Sequence, residues 1–113
     1  MKIKLIDIAW ARSGDKGINS NVGVIFKNKK IYNWAKSNIT EDLVRNYFKS
    51  VVKGDVKRYE LDNLLALNFI LYDSLSGGGN KTLQNDAQGK TYGQAILMLE
   101  LDIPKSLSNY IDL

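Results

Sequence analysis

The chain contains neither cysteine nor histidine. The first absence excludes disulfides, thiolate chemistry and sulfur-ligated metal; the second removes the commonest general base and the commonest zinc ligand. Any chemistry is left to Ser, Thr, Tyr, Lys and the carboxylates, and no metal site is expected. No apolar run approaches the roughly 18 to 20 residues of a membrane span. The N-terminus meets Asp7 too early for a signal peptide, so we expect a cytoplasmic protein without membrane contact. Arginine is scarce, three residues against thirteen lysines, and the lysines that give the net charge of +4 are scattered. Dispersed lysine serves solubility and a solvated face. A clustered basic stripe with sheet-face aromatics is missing, which argues against nucleic acid as partner.

What is present describes one globular unit. At 113 residues, 44% hydrophobic and 25% charged, residues 1–113 read as a single domain able to bury roughly two thirds of its unfolded surface. Residues 3–10 are rich in β-branched and aromatic types and read as a strand with Asp7 in its middle, either ion-paired or aimed at a ligand. Asn21 to Phe26 reads as a second strand, in which Gly23 marks a bulge or a close backbone approach. A short helix is expected from Ile31 to Asn38 and a clearer one after Thr40, with Glu41 and Asp42 in its first turn and Gly54 at its end. Val56 to Leu61 alternates as a half-exposed strand does. Leu64 to Tyr72 is apolar nearly all round and reads as a central helix, in which Asn68 needs partners from backbone carbonyls or a ligand. Ala95 to Ile103 alternates and reads as a long last strand ended by Pro104, and the tail is expected to pack through Leu107, Tyr110 and Ile111. The order ββααβαβ implies an α+β layer, about four strands covered by helices.

Between the first two strands lies Arg12-Ser13-Gly14-Asp15-Lys16-Gly17, continued by Ile18-Asn19-Ser20-Asn21. Two glycines, both signs of charge, a hydroxyl and amides read as a polar loop that presents groups. The Walker spacing is lacking and no helix is expected to follow, which weakens a phosphate cradle. Ser13-x-x-Lys16 has the form of a nucleophile with its base, but Gly14 and Asp15 favour a turn and no partner motif follows. A structural loop, with Asp15 accepting backbone amides and Asn19 and Asn21 tying the turn down, accounts for the composition as well. Gly77-Gly78-Gly79 forms a second permissive loop.

Three stretches, ARSGDKGINSNVGV (11–24), YELDNLLALNFILYDSLSGGG (59–79) and TLQNDAQGKTYGQAILMLELDIP (82–104), resemble in order and spacing the C-terminal domain of the acyclic terpene utilisation (AtuA) family. The resemblance implies a ferredoxin-like α+β sandwich. It also implies a module that usually follows a much larger N-terminal domain in proteins of acyclic terpene and acyl-CoA catabolism. Standing alone, the module is expected to meet a larger AtuA N-terminal-type chain or to form a homo-oligomer. Ile18 replaces an expected polar or acidic residue and Gln84 an expected arginine. The expected function is an accessory or assembly subunit. Its polar surface would comprise Arg12, Ser13, Asp15, Lys16, Asn19, Asn21, Asn68, Gly77, Gly78, Gly79, Asp86 and Lys90, facing a larger partner or its anionic, CoA-linked substrate, with no resident cofactor. Two rivals are a small enzyme using Lys16 or Asp15 on a carboxylate or thioester at a homo-oligomer interface, and a homo-oligomeric ligand sensor.

Overall fold

The computed structural model describes residues 1–74 and 92–111, Lys16 by its backbone alone. After a short strand β1 (Lys2–Lys4) and a 3-10 turn at Leu5–Asp7, β2 (Ala9–Lys16) and β3 (Asn19–Phe26) form an antiparallel hairpin. Its two-residue turn is Gly17–Ile18, with Gly17 at φ +68°. Glycine at the first central position suits a turn whose twist matches that of the strands. Helix α1 (Lys29–Asn38) is capped by the Asn28 side chain, which accepts the Ile31 N–H at 2.9 Å. Helix α2 (Glu41–Tyr47) is capped by Thr40, which accepts the Leu43 N–H at 3.1 Å, with Glu41 and Asp42 complementing its first turn. A second hairpin follows, β4 (Val56–Leu61) and β5 (Ala66–Leu71), joined through a 3-10 turn at Asp62–Leu64 and the left-handed Leu65. Residues 92–96 form a helical turn, α3, before β6 (Glu100–Asp102).

The two hairpins join through β3 and β5, so the main sheet runs β2-β3-β5-β4, antiparallel throughout, while β1 and β6 form a separate two-stranded ladder. Side chains alternate across a sheet, and here alternation divides two environments. One face carries Val22, Val24, Phe26, Leu67, Phe69, Leu71 and Val56, all buried against Ile31, Tyr32, Ala35, Val44, Phe48, Tyr92 and Ile96 of the helical layer. No described element covers the other face. The layout is the expected α+β one, a four-stranded sheet with helices on one side.

Several elements differ from the sequence expectation. Residues 3–10 do not form one strand: the 3-10 turn interrupts them, and Asp7 is half-exposed, accepting the Lys4 backbone N–H at 2.9 Å. The stretch from Arg12 to Lys16 is strand rather than loop; its polarity records an uncovered sheet face, since Arg12 and Gly14 point away from the helices. Gly23 sits in regular register opposite Arg12 and Asn68, with no bulge. Leu64 to Tyr72 is not a helix. It supplies the central strand β5, whose inner positions are buried and whose outer ones are Ala66, buried, and Asn68 and Ile70, half-exposed. The α2 helix ends at Tyr47, before the expected Gly54. The expected long final strand is instead α3 and the three residues of β6. In the tail, a 3-10 turn at Lys105–Tyr110, Leu107 and Ile111 pack on the core while Tyr110 is exposed.

Candidate functional site

The sheet register sorts the uncovered face into rows. Trp10, Ile25, Ala66 and Leu61 stand side by side across the four strands and form an apolar row, extended by Leu64 just beyond β4. The next row is Arg12, Gly23, Asn68 and Tyr59, and the third is Gly14, Asn21, Ile70 and Lys57. Trp10 and Leu64 are 59% and 62% exposed, unusually open for side chains of that size. The Lys27 ammonium lies 5.6 Å from the Trp10 ring centroid, within cation–π range. Between the rows is a depression of about 370 Å³ lined by Arg12, Ser13, Gly14, Asn21, Gly23, Ile25, Leu61, Leu64, Ala66 and Asn68.

The fold brings together three of the residues singled out in the sequence. Arg12, Asn21 and Asn68 share this depression although they come from three strands. Arg45 pairs with Asp42 at 3.0 Å, and Arg58 with Glu60 at 2.9 Å. Arg12 has no ion pair among the described residues, and neither the Asn21 nor the Asn68 side chain has a hydrogen-bond partner among them.

Other predicted residues belong to the framework. Ser13 lies on the helix-covered side, where its Oγ accepts the Gly93 N–H at 2.7 Å and holds the first turn of α3. Asp15 shares that side of β2 and is exposed. Asn19 accepts the Asp73 N–H at 2.8 Å. Beside it the hydroxyls of Ser20 and Ser74 are 2.8 Å apart, the Ser74 N–H donates to the Ile18 carbonyl, and the Tyr92 hydroxyl donates to the Ser74 carbonyl at 2.9 Å. Burial raises the Tyr92 hydroxyl above the ordinary phenol range, which keeps it a donor. Residues 74 and 92 are thereby fastened to each other and to the hairpin. Gly77, Gly78, Gly79, Asp86 and Lys90 lie outside the described residues, as does Gln84.

The sequence reading missed the apolar half of the face: Trp10, Ile25, Tyr59, Leu61 and Leu64. A usable sign was present in 56–61, where the outward positions of an alternating strand include Tyr59 and Leu61 rather than charge throughout.

No described helix is long and apolar enough to cross a membrane. Comparison with curated proteins and with solved structures finds no match to the chain. A model of the AtuA ferredoxin-like domain matches residues 3–102, nearly the whole length, and the chain belongs to that family.

Proposed function

We propose that the domain is an accessory module that docks on a larger partner chain through the uncovered face of its main sheet. The observation that carries this reading is the one-sided sheet: an apolar row from Trp10 to Leu64 beside Arg12 and two amides, with no described element against it. Aromatic residues and arginine around a small apolar centre are the composition of an interface. Docking by the face rather than by the outer edge of β4 is favoured because that edge is closed at its middle, where the Glu41 carboxylate accepts the Arg58 backbone N–H at 2.7 Å. A second copy of the chain fits less well than a different partner. Positions 12, 16 and 57 of this face are basic and none of its positions is acidic, so two such faces would set like charges together.

The partner suggested by the family resemblance is the large chain that this type of module usually follows, in catabolism of acyl-CoA or terpene-like compounds. Asp15 and Lys16 are consecutive positions in β2 and so belong to opposite sides of the sheet, so that the enzymatic rival would rest on one of them alone.

Native mass spectrometry of the tagged chain drawn from its own cells tests the reading. A stoichiometric complex with one larger chain is expected for the parent protein and for Lys49→Glu, a surface control, and its loss for Trp10→Glu combined with Leu64→Glu. A complex that survives both face substitutions, or a parent protein recovered solely as monomer or homo-oligomer, overturns it.

A further inference from the structure

Glycines in the sheet are the unexplained feature of the uncovered face. Gly54 and Gly93 are demanded by packing, since a Cβ would stand 2.8 Å from the Tyr72 carbonyl oxygen in one case and 3.0 Å from Ser13 Oγ in the other. Gly14 and Gly23 are not. Among the described residues, a Cβ at Gly14 would meet Asn21 Oδ1 at 3.6 Å, and one at Gly23 would meet Asn68 Oδ1 at 3.7 Å and the Arg12 carbonyl at 3.9 Å, ordinary contacts all. Neither residue has a left-handed backbone. Glycine weakens a strand interior and adds no packing, and it recurs where a ligand comes close to the backbone.

The gap at Gly23 is bounded by a guanidinium and two side-chain amides; Asn68 turns its Oδ1 toward Gly23 and Asn21 its Oδ1 toward Gly14, and half a turn about each amide's last bond brings its NH₂ there instead. Arg12 and Asn68 stand on either side of it in the same row, two strand spacings or about 10 Å apart, with no described side chain between them. Asn21 borders it from the next row. The Arg12 guanidinium supplies up to five N–H donors and each amide two, and no strand position on the face carries a carboxylate that would occupy them. On the far side Ile25, Leu61, Leu64 and Ala66 form an apolar wall.

We propose that this depression binds a small carboxylate with a short aliphatic tail. The carboxylate lies over Gly23, accepting from Arg12 and from the Asn68 and Asn21 amides turned NH₂-inward, and the tail runs along the Ile25–Leu61–Leu64 wall. The depression, about 370 Å³, is in the range of small-molecule sites. The site shares its face with the docking surface but stands on separate observations. A partner seated on Trp10, Tyr59 and Leu64 would roof it.

The test is titration of the isotopically labelled chain with hexanoate, followed by backbone amide and side-chain NH₂ resonances. Saturable shifts are expected at Arg12, Gly14 and Gly23 and at the Asn21 and Asn68 amides. Hexanamide, equal in shape but uncharged, should bind about tenfold more weakly or worse, and Arg12→Gln should cost hexanoate a similar factor, because charge-assisted pairing is lost in both. Gly23→Val, whose Cβ the framework accommodates, should fold with an unchanged amide spectrum away from the site and no longer bind. Absence of saturable shifts, equal affinity for hexanoate and hexanamide, or undiminished binding by Gly23→Val overturns the proposal. So do shifts that an acidic peptide produces and hexanoate does not, an outcome that would assign the depression to the docking partner. Because these titrations use the chain alone, they can fail while partner capture succeeds, and the reverse.

Discussion

Gly17 and Gly23 sit in one hairpin with opposite requirements. The first has φ +68° in a two-residue turn, the second an ordinary strand backbone. Gly17→Ala should cost about 1 to 2 kcal/mol, the penalty of a left-handed L-residue, whereas Gly23→Ala should be neutral or stabilising by up to about 1 kcal/mol; urea unfolding distinguishes them. Neighbours on β2 divide in the same way. Ser13→Ala removes the acceptor of the Gly93 N–H and should cost about 1 to 3 kcal/mol, while Arg12→Ala, without a described ion pair, should leave stability within about 0.5 kcal/mol. Arg12, Asn21 and Asn68 were legible as candidates in the sequence because polar residues beside apolar runs need explaining. That Ser13 belongs to the framework was not legible, since its partner is 80 residues away in the chain.

The same scale holds a pH dependence. The Tyr32 hydroxyl donates to Asp62 Oδ1 at 2.6 Å and the Lys36 ammonium approaches the same oxygen at 3.5 Å. The hydrogen bond, aided by Lys36, holds the Asp62 carboxyl below its ordinary value of 3.8. Burial, with the same hydrogen bond, raises the Tyr32 hydroxyl above 10.0. Lowered in the folded state, Asp62 contributes stability that is complete above pH 3.8 and fades as the pH falls below it; Tyr32, raised, contributes stability that is complete below pH 10.0 and fades above it. Thermal unfolding should show the Asp62→Asn variant less stable than the parent at pH 7, with the difference narrowing as the pH falls below 3.8. A gap of constant size from pH 7 to acid would show that the charge of Asp62 contributes nothing.

At the scale of elements, the misread stretches share one cause. β5 is an apolar run of the length at which a central strand and a buried helix look alike, and only its pairing on both sides with β3 and β4 decides. The part of β2 from Arg12 to Lys16 was read as a loop because its residues are polar, but polarity reports which face is wet rather than whether the backbone is extended. By contrast α1 and α2 were legible, α1 from the helical spacing of Ile31, Tyr32, Trp34 and Ala35 and α2 from Thr40, Glu41 and Asp42, local signals that need no tertiary partner. Glu41 does more than its place in the first turn suggested. Its carboxylate occupies the outward N–H of Arg58 in edge strand β4, and the Arg58 guanidinium donates in turn to the Lys36 and Ile39 carbonyls at 2.7 and 3.0 Å. Glu41→Ala should therefore cost about 1 to 3 kcal/mol and also open the edge to pairing with other chains. Sedimentation velocity should then show association that grows with concentration, and a variant that is destabilised yet strictly monomeric would show that the edge is protected by other means.

For the whole molecule, the fold turns a scattered charge pattern into a directional one. Lysines that look dispersed in the sequence include positions 16 and 57, which by register belong with Arg12 to a sheet face that has no acidic strand position, while the described acids that form ion pairs, Asp42, Glu60, Asp62 and Asp102, lie off that face. Charge at the rim acts mainly on encounter and is screened over about 10 Å at 0.1 M salt, whereas apolar contact acts on dissociation and responds little to salt. The two halves of the face should therefore separate kinetically once the larger partner is in hand. Raising ionic strength should slow association of the parent chain and leave its dissociation nearly unchanged. Lys57→Gln should flatten that salt dependence, and Trp10→Ser should keep it while shortening the lifetime of the complex. Surface plasmon resonance over a salt series reads both rates. If Trp10→Ser altered the salt slope and Lys57→Gln did not, the division of the face into a steering half and a holding half would be wrong.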